Sequence, residues 1–314
     1  MPKHVFGPVR SRRLGISLGI DVVPPKTCSY SCVYCQLGKT TCLSIERRNY
    51  VDPNTIVDEV SKTVEKIEID FVTILGCGEP TLYRDLGKLV NGLRSLGLRV
   101  AVLTNGSLLW MEDVRMDLMD AHYVCTKLDA GDPHLHRAVN RPHPELRFEK
   151  IVEGIETFSK EYRGFLGIEI MLVKDMNDGV ENARRIAEHL RRFRVDRVYV
   201  AIPTRPPCEP FVEPPPIERI EAFRKIIADA VGSERVATLI EEEPSHGFEA
   251  LGDIVEALVS IAAIHPLRVD IAIDMVRRRG YDPKILDELV ARGILRIVEY
   301  MGRKYLTYPR REHV

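Results

Sequence analysis

Short apolar runs alternate with longer amphipathic patterns across residues 16–203 of this 314-residue chain. The short runs predict six strands, at residues 16–23, 70–75, 98–104, 121–129, 165–173 and 196–202. The longer patterns predict five helices between them, at residues 53–67, 84–95, 108–119, 148–162 and 180–193. Such alternation is typical of βα units around a parallel sheet. It predicts an α/β fold, either a partial (βα)6 barrel or an open doubly wound sheet.

The pattern changes at a proline-rich segment, residues 203–216, which we expect to be extended and stiff. A helix is predicted at 217–231, and a linker at 232–246. The remainder predicts three helices and then two strands, at residues 249–263, 268–279, 283–292, 294–300 and 303–308. Three helices followed by a hairpin are typical of a winged helix. The predicted domains are therefore a core over residues 1–231 and a small winged-helix-like domain over residues 247–314.

Composition narrows the class of protein further. A hydrophobic content of 45% is enough for a sizeable core, and a net charge of −1 gives no overall bias toward nucleic acid or membrane. No apolar run reaches the roughly 18 residues of a membrane span, and no apolar segment of a signal peptide follows the first residues. We therefore expect a cytoplasmic protein without membrane contact, whose thiols stay reduced. A single glutamine, few asparagines and many paired charges suggest a thermophile.

Three cysteines, Cys28, Cys32 and Cys35, lie within eight residues in the spacing C-x3-C-x2-C. A [4Fe–4S] cluster takes about four cysteine ligands when fully held by protein, so three leave one iron open for chemistry. With Cys42 as a fourth ligand, the run could instead hold zinc or an electron-transfer cluster. Zinc sites, however, usually come as C-x2-C pairs separated by a longer loop.

The cysteine spacing, with Tyr34 before the third cysteine, resembles the signature of the radical S-adenosylmethionine (radical SAM) superfamily. The resemblance implies that the open iron chelates the amino and carboxylate groups of SAM. After the second predicted strand, Gly76-Cys77-Gly78-Glu79-Pro80 resembles the Gly-Gly-Glu-Pro motif of the superfamily, which holds the methionine amino group. Cys77 is a departure from that motif. Thr104 and Asn105, after the third strand, resemble a further SAM-binding element.

The fourth and fifth predicted strands carry charged residues at alternating positions. Period two puts Cys125, Lys127 and Asp129 on one face of the fourth strand, and Glu169 faces the same way from the fifth. Lys127 could pair with the SAM carboxylate, and the two carboxylates could accept hydrogen bonds from ribose. The alternative is an internal ion pair that only satisfies buried charge.

Arginines at positions 10, 12 and 13 precede the first strand in the segment Phe6-Gly7-Pro8-Val9-Arg10-Ser11-Arg12-Arg13-Leu14-Gly15. They could clamp an anionic substrate, such as one with a phosphate or carboxylate, or form a solvated basic segment. This segment, the cysteine motif and Ile202-Pro203-Thr204-Arg205-Pro206-Pro207 resemble an Fe–S oxidoreductase subgroup grouped with wybutosine (tRNA) biosynthesis enzymes, which often carries a C-terminal winged helix.

The resemblance implies a radical SAM enzyme that uses a [4Fe–4S] cluster to cleave SAM to a 5′-deoxyadenosyl radical, which takes hydrogen from a substrate. An electron donor of the ferredoxin or flavodoxin type is implied. The substrate could be RNA, as in tRNA modification, or a protein or peptide, as in glycyl-radical activation. A third hypothesis is a non-enzymatic Fe–S or zinc sensor that binds DNA.

The predicted third helix of the tail bears on the sensor hypothesis. Residues 282–292 contain three acidic and two basic side chains, which disfavours insertion into a DNA groove. The following strands are more basic, so contact with RNA or an anionic peptide stays open. We therefore expect the tail to recognise a macromolecule other than DNA and to be dispensable for SAM cleavage.

Overall fold

The structure is a computed structural model that describes residues 4–240 and 253–309. Its first part contains ten strands: β1 Val5–Ser11, β2 Gly15–Ile20, β3 Thr27–Cys28, β4 Cys42–Leu43, β5 Phe71–Ile74, β6 Val100–Leu103, β7 Tyr123–Lys127, β8 Phe165–Met171, β9 Arg197–Ala201 and β10 Val236–Leu239. The six predicted strands are confirmed as β2 and β5–β9. Strands β1, β3, β4 and β10 were not predicted.

Eight of these strands form one sheet in the order β1-β2-β5-β6-β7-β8-β9-β10. All neighbouring pairs are parallel except β1 and β2. The spatial order follows the chain order throughout. A doubly wound sheet reverses its strand order at a switch point, so this sheet is the partial (βα)6 barrel, with β1 and β10 added at its two edges.

Seven helices connect the strands in this part: α1 Pro53–Val64, α2 Leu86–Ser95, α3 Glu112–Leu118, α4 Pro133–Asn140, α5 Phe148–Glu161, α6 Val180–Leu190 and α7 Ile217–Val231. The predicted helices are present, with ends that differ by a few residues. Helix α4 was missed. Its start carries a clear signal, because the Asp132 side chain accepts hydrogen bonds from the backbone N–H groups of His134 and Leu135, and Pro133 is the first helical residue.

The two faces of the sheet have different surroundings. Val124, Ile168 and Ile170 belong to the large apolar core beneath the helices. Tyr123 and Cys125, one position out of phase with Val124, belong to a smaller cluster on the opposite face. The predicted alternation along β7 and β8 is therefore confirmed, and polar residues in that second phase face the interior of the barrel.

The described part of the tail contains three helices and three strands: α8 Ile254–Ile264, β11 Leu267–Arg268, α9 Val269–Arg278, α10 Lys284–Ala291, β12 Arg296–Tyr300 and β13 Arg303–Thr307. Its sheet has the order β11-β13-β12, and its helices enclose a separate apolar cluster. The start predicted for the first helix, and most of the predicted linker, lie outside the described residues. That these elements form a winged-helix domain stays a prediction.

The tail contacts the barrel directly. Val9 of β1 packs against the apolar cluster of the tail. The Tyr300 hydroxyl donates to the Pro203 carbonyl over 3.1 Å, and the Tyr305 hydroxyl donates to the Thr204 carbonyl over 3.0 Å. The proline-rich segment after β9 therefore forms part of this contact. Over residues 4–240 and 253–309, no helix combines the length and apolar character needed to cross a membrane.

Candidate active site

The three cysteines lie in a loop at the carboxyl edge of the barrel, residues 28–35, called here the cysteine loop. The two residues before it, Lys26 and Thr27, are hydrogen-bonded to the loop that follows β5. The Lys26 N–H donates to the Cys77 carbonyl over 2.8 Å, and the Glu79 N–H donates to the Thr27 carbonyl over 3.0 Å. Gly78 permits this approach, because a β-carbon there would lie 1.8 Å from the Thr27 carbonyl oxygen. Two motifs that are distant in sequence are thus held together by backbone contacts.

Helix α4 holds the other side of the cysteine loop. The backbone N–H groups of Ser31 and Val33 donate to the carbonyls of Asn140 and Val139 over 3.1 and 3.0 Å. The Tyr34 hydroxyl donates to the Asp129 carboxylate beyond the end of β7. The loop is therefore fixed by the barrel on one side and by α4 on the other.

Each sulfur of the cysteine loop accepts hydrogen bonds from nitrogen donors. Cys28 Sγ accepts from the Tyr30 N–H at 3.5 Å and from Asn105 Nδ2 at 3.7 Å. Cys32 Sγ accepts from Asn140 Nδ2 at 3.6 Å, and Cys35 Sγ accepts from Lys26 Nζ at 3.5 Å. Such donors stabilise anionic sulfur, which is the form that ligates iron. This donor set fits an iron–sulfur cluster.

A cluster would also offset the cost of ionising these thiols. Burial, together with the nearby Asp129 and Cys35, raises the pKa of Cys32 to about 12. Burial likewise raises the pKa of Cys28. Metal binding supplies the positive charge that such thiols need to deprotonate. Within the described ranges, no three His, Cys, Asp or Glu side chains converge on a single metal ion. A cluster distributes its ligands over several irons.

Glu79 ties the loop after β5 to the loop after β6. One carboxylate oxygen accepts from the Thr104 hydroxyl at 2.5 Å and from the Thr81 hydroxyl at 2.7 Å. The other accepts from the Asn105 N–H at 2.7 Å. Burial raises the pKa of Glu79, and these hydrogen bonds oppose the shift. The predicted SAM-binding residues of the two loops are therefore neighbours. Gly76 is left-handed, with φ of 80°, whereas Cys77 has an ordinary negative φ.

Lys127 and Glu169 face each other across β7 and β8 in an ion pair of 2.6 Å. Arg13, from the turn between β1 and β2, pairs with the other Glu169 oxygen. Burial would raise the pKa of Glu169, but the two cations outweigh it and hold that pKa well below its usual range. The internal ion pair that we considered as the alternative role of Lys127 and Glu169 is therefore present. Their contact with SAM stays a prediction.

Asp129 is saturated by protein donors. One oxygen accepts from the Met171 N–H at 2.7 Å, and the other accepts from Asn140 Nδ2 at 2.7 Å and from the Tyr34 hydroxyl. Both oxygens are thus engaged in holding the cysteine loop and β8. The predicted contact of Asp129 with ribose would have to compete with these bonds.

A cavity of about 310 Å³ opens beside the cysteine loop on the interior face of the sheet. Its lining includes four of the predicted site residues: Tyr34, Cys35, Lys127 and Glu169. Of the three arginines near β1, Arg12 and Arg13 line this cavity, while Arg10 is exposed outside it. The other predicted site residues, among them Cys28, Glu79 and Asp129, are not among the residues that line this cavity.

The tail also contributes to this cavity, through Ile264 and His265 at the end of α8. Gln36, directly after Cys35, donates to the Ile264 carbonyl at 3.1 Å and accepts from Arg205 at 2.9 Å. Because the tail contacts the residue directly after the cysteine loop, we now expect its removal to disturb SAM cleavage, in contrast to the expectation from sequence.

Sequence reasoning missed two residues of this site, Lys26 and Asn140. Asn140 contacts Cys32, Tyr34 and Asp129 from the last turn of α4. The capping signal at Asp132 could have identified the helix that carries it. Lys26 carries no such signal, because its contact with Cys35 depends on how the loop folds back.

The chain belongs to the radical SAM superfamily, whose family model matches residues 22–187. Along nearly its whole length it is similar to the UPF0026 protein MJ1312 of Methanocaldococcus jannaschii, with 36% identity over 303 residues, 96% of this chain and 94% of the relative. It is a radical SAM enzyme, and its cofactors are a [4Fe–4S] cluster and SAM. Radical SAM enzymes require an electron donor.

Two solved structures have a similar fold. A radical SAM methyltransferase from Sphaerobacter thermophilus aligns with a TM-score of 0.57 and 18% identity, over 79% of this chain and 69% of its own. SuiB from Streptococcus suis aligns with a TM-score of 0.53 and 16% identity, over 71% of this chain and 49% of its own. At these identities the likeness shows the fold alone.

Proposed function

We propose that Cys28, Cys32 and Cys35 hold the [4Fe–4S] cluster and leave one iron open for SAM. The observation that carries this proposal is that backbone hydrogen bonds join the start of the cysteine loop to the Gly76–Glu79 loop, while Cys35 at its other end lines the cavity. When bound, the reduced cluster and SAM supply a 5′-deoxyadenosyl radical, which removes a hydrogen atom from the substrate.

The residues of this chain hold, orient and shield the reactants. The surface for the methionine part of SAM consists of Gly76, Gly78 and Glu79. Thr104 and Asn105 hold the Glu79 carboxylate in place by hydrogen bonds. Lys127, paired with Glu169, keeps a fixed positive charge on the cavity wall. We propose a ferredoxin-type or flavodoxin-type protein as the electron donor.

We infer that the substrate is a macromolecule that carries an anionic group, with RNA as the first candidate. Arg12, Arg13, Lys127 and Arg205 line the cavity, and Glu169 is the carboxylate that faces them there. Arginine binds phosphate through paired N–H groups. A cavity of about 310 Å³ lies at the small end of the usual range for ligand pockets. It would therefore admit one group of a larger molecule.

The experiment has two stages. Anaerobically reconstituted protein, reduced with dithionite and mixed with SAM, should release methionine and 5′-deoxyadenosine. Absence of 5′-deoxyadenosine from protein with an intact cluster would contradict the proposed chemistry.

In the second stage, nucleosides and tryptic peptides from a strain lacking the gene are compared with the parent by mass spectrometry. A nucleoside modification lost in the deletion strain, and restored by the gene, supports RNA as the substrate. A lost peptide modification instead would replace RNA with the protein alternative.

A further inference from the structure

Lys26 places its ammonium group against Cys35, the last of the three cysteines along the chain. Its Nζ lies 3.5 Å from Cys35 Sγ. Lys26 is only 4% exposed, which is rare for a lysine. It is therefore a buried cation in direct contact with a residue that we propose as a cluster ligand.

The charge of Lys26 has no carboxylate partner within residues 4–240 and 253–309. Cys35 Sγ is the hydrogen-bond acceptor that the structure gives to the ammonium group. Taking an ammonium ion out of water is costly unless an anion compensates it. The residue in hydrogen-bond contact that can supply the anion is Cys35, as a thiolate bound to iron. A negative charge on Cys35 would therefore stabilise the buried ammonium group of Lys26.

The backbone of Lys26 is held in a conformation that orients the side chain. Its φ is 63°, in the left-handed region that residues other than glycine rarely adopt. Its N–H donates to the Cys77 carbonyl, and its own carbonyl accepts from the N–H groups of Thr41 and Cys42 over 3.2 and 3.1 Å. Three backbone bonds therefore maintain a strained residue just before the cysteine loop, as is common at functional sites.

The other donors to the three sulfurs of the cysteine loop are neutral. Tyr30 donates with its backbone, and Asn105 and Asn140 with their side-chain amides. Hydrogen bonds to the sulfurs and the net charge around a cluster both set its reduction potential. Reduction adds one negative charge to the cluster, so a fixed cation beside a ligand sulfur stabilises the reduced form more than a neutral donor does.

We propose that Lys26 is a positioning residue that pairs with cluster-bound Cys35 and raises the reduction potential of the cluster, so that an ordinary cellular donor can reduce it. This inference rests on the proposed function, since it needs the cluster on the cysteine loop. It assigns to Lys26 an electrostatic role separate from binding SAM or substrate.

The test compares the midpoint potential of the cluster in four proteins, by redox titration monitored by electron paramagnetic resonance (EPR). The proteins are the parent, Lys26→Met, Lys26→Arg and Lys39→Met. Methionine keeps the length and burial of Lys26 without its charge, and arginine keeps the charge. Lys39 is an exposed lysine just after the cysteine loop and serves as the matched control.

We expect Lys26→Met to lower the ratio of reduced to oxidised cluster at a fixed potential about tenfold, which is about 59 mV for one electron. Lys26→Arg should stay close to the parent. Lys39→Met should not change the potential, because exposed charges are screened by solvent and salt. If Lys26→Met cannot retain the cluster whereas Lys26→Arg can, the charge is required and the proposal is supported.

An unchanged potential in Lys26→Met, or loss of the cluster from both Lys26 variants, would overturn the inference. That failure is distinct from failure of the proposed function. If the parent protein binds no [4Fe–4S] cluster, the proposed function fails. If the parent binds the cluster and cleaves SAM while Lys26→Met matches its potential, only the role of Lys26 is wrong.

Discussion

The Tyr34 hydroxyl donates a hydrogen bond to the carboxylate of Asp129, which joins the cysteine loop to the end of β7. Asp129 is 2% exposed and also accepts from Asn140 and from the Met171 N–H. One carboxylate therefore fixes the cysteine loop, α4 and β8 relative to each other. Its first role in the described structure is to set the geometry of the site.

Replacement of Asp129 by alanine should therefore destabilise the protein. Buried donors left without an acceptor cost about 1–3 kcal/mol each, and we expect a total loss of about 3 kcal/mol after relaxation. The measurement is urea unfolding of the protein without its cluster. Asp120→Ala, which removes an exposed carboxylate, is the control and should change stability little. If Asp129→Ala keeps full stability but binds SAM more weakly, Asp129 is a SAM contact instead.

Replacement of Gly78 by alanine should displace the cysteine loop. The added β-carbon would overlap the Thr27 carbonyl oxygen at 1.8 Å, one residue before Cys28. We expect a loss of about 1–3 kcal/mol in unfolding free energy, as for other overpacked sites, and a lower iron content after reconstitution. Gly179→Ala is the matched control, since a β-carbon there meets no atom within 4 Å. Equal iron content in the two variants would show that the approach of these two loops is not needed.

His136 should make the fold sensitive to acid. Its ring packs against Tyr30 of the cysteine loop, and burial, with help from Arg137, lowers its pKa to about 4. In the unfolded chain, His136 binds a proton as the pH falls through about 6.5. In the folded protein, its ring stays neutral until the pH approaches 4. Stability from the neutral ring is therefore complete above pH 6.5 and is lost as the pH falls toward 4.

The expected loss from this residue is about 3 kcal/mol over that range. Urea unfolding of the protein without its cluster at pH 7, 6, 5 and 4 measures it. His136→Gln should be less stable at pH 7, and its difference from the parent should shrink as the pH falls. His134→Gln, at an exposed position of the same helix, should follow the parent. A constant difference between His136→Gln and the parent would contradict this account.

The contact of the tail with the barrel should depend on two tyrosine hydroxyls. Tyr300→Phe with Tyr305→Phe removes their bonds to residues 203 and 204. At about 1 kcal/mol per bond, opening of this contact should become about thirtyfold more frequent. Hydrogen exchange of the α8 amides measures it, and Tyr281→Phe, at an exposed tyrosine of the tail, is the control. Unchanged exchange would mean that other contacts hold the tail.

The sequence predicted the repeating part of the fold well, because each strand of a parallel barrel is a buried apolar run between helices. It missed β1 and β10 for physical reasons. Gly7 and Pro8 interrupt β1, and they are residues that strand patterns exclude. β10 is four residues long and lies at an edge of the described sheet, paired with β9. Edge strands of this kind have weak sequence signals.

For the site, sequence motifs identified the loops but not the contacts between them. The cysteine spacing and the Gly76–Pro80 segment lie at strand ends, where active sites of such barrels form. Local patterns could not show that Arg13 reaches Glu169 from 156 residues away. They also could not show that Gln36 contacts the tail. Both contacts depend on tertiary structure, and both change the roles expected for nearby residues.

We propose above all that Cys28, Cys32 and Cys35 hold a cluster whose fourth iron binds SAM. The most direct measurement is the EPR spectrum of the dithionite-reduced cluster with and without SAM, in the parent and in Cys32→Ala and Cys42→Ala. We expect SAM to change the spectrum of the parent and of Cys42→Ala, and we expect no [4Fe–4S] signal from Cys32→Ala. Loss of the signal in Cys42→Ala, or a parent spectrum that SAM leaves unchanged, would contradict the claim.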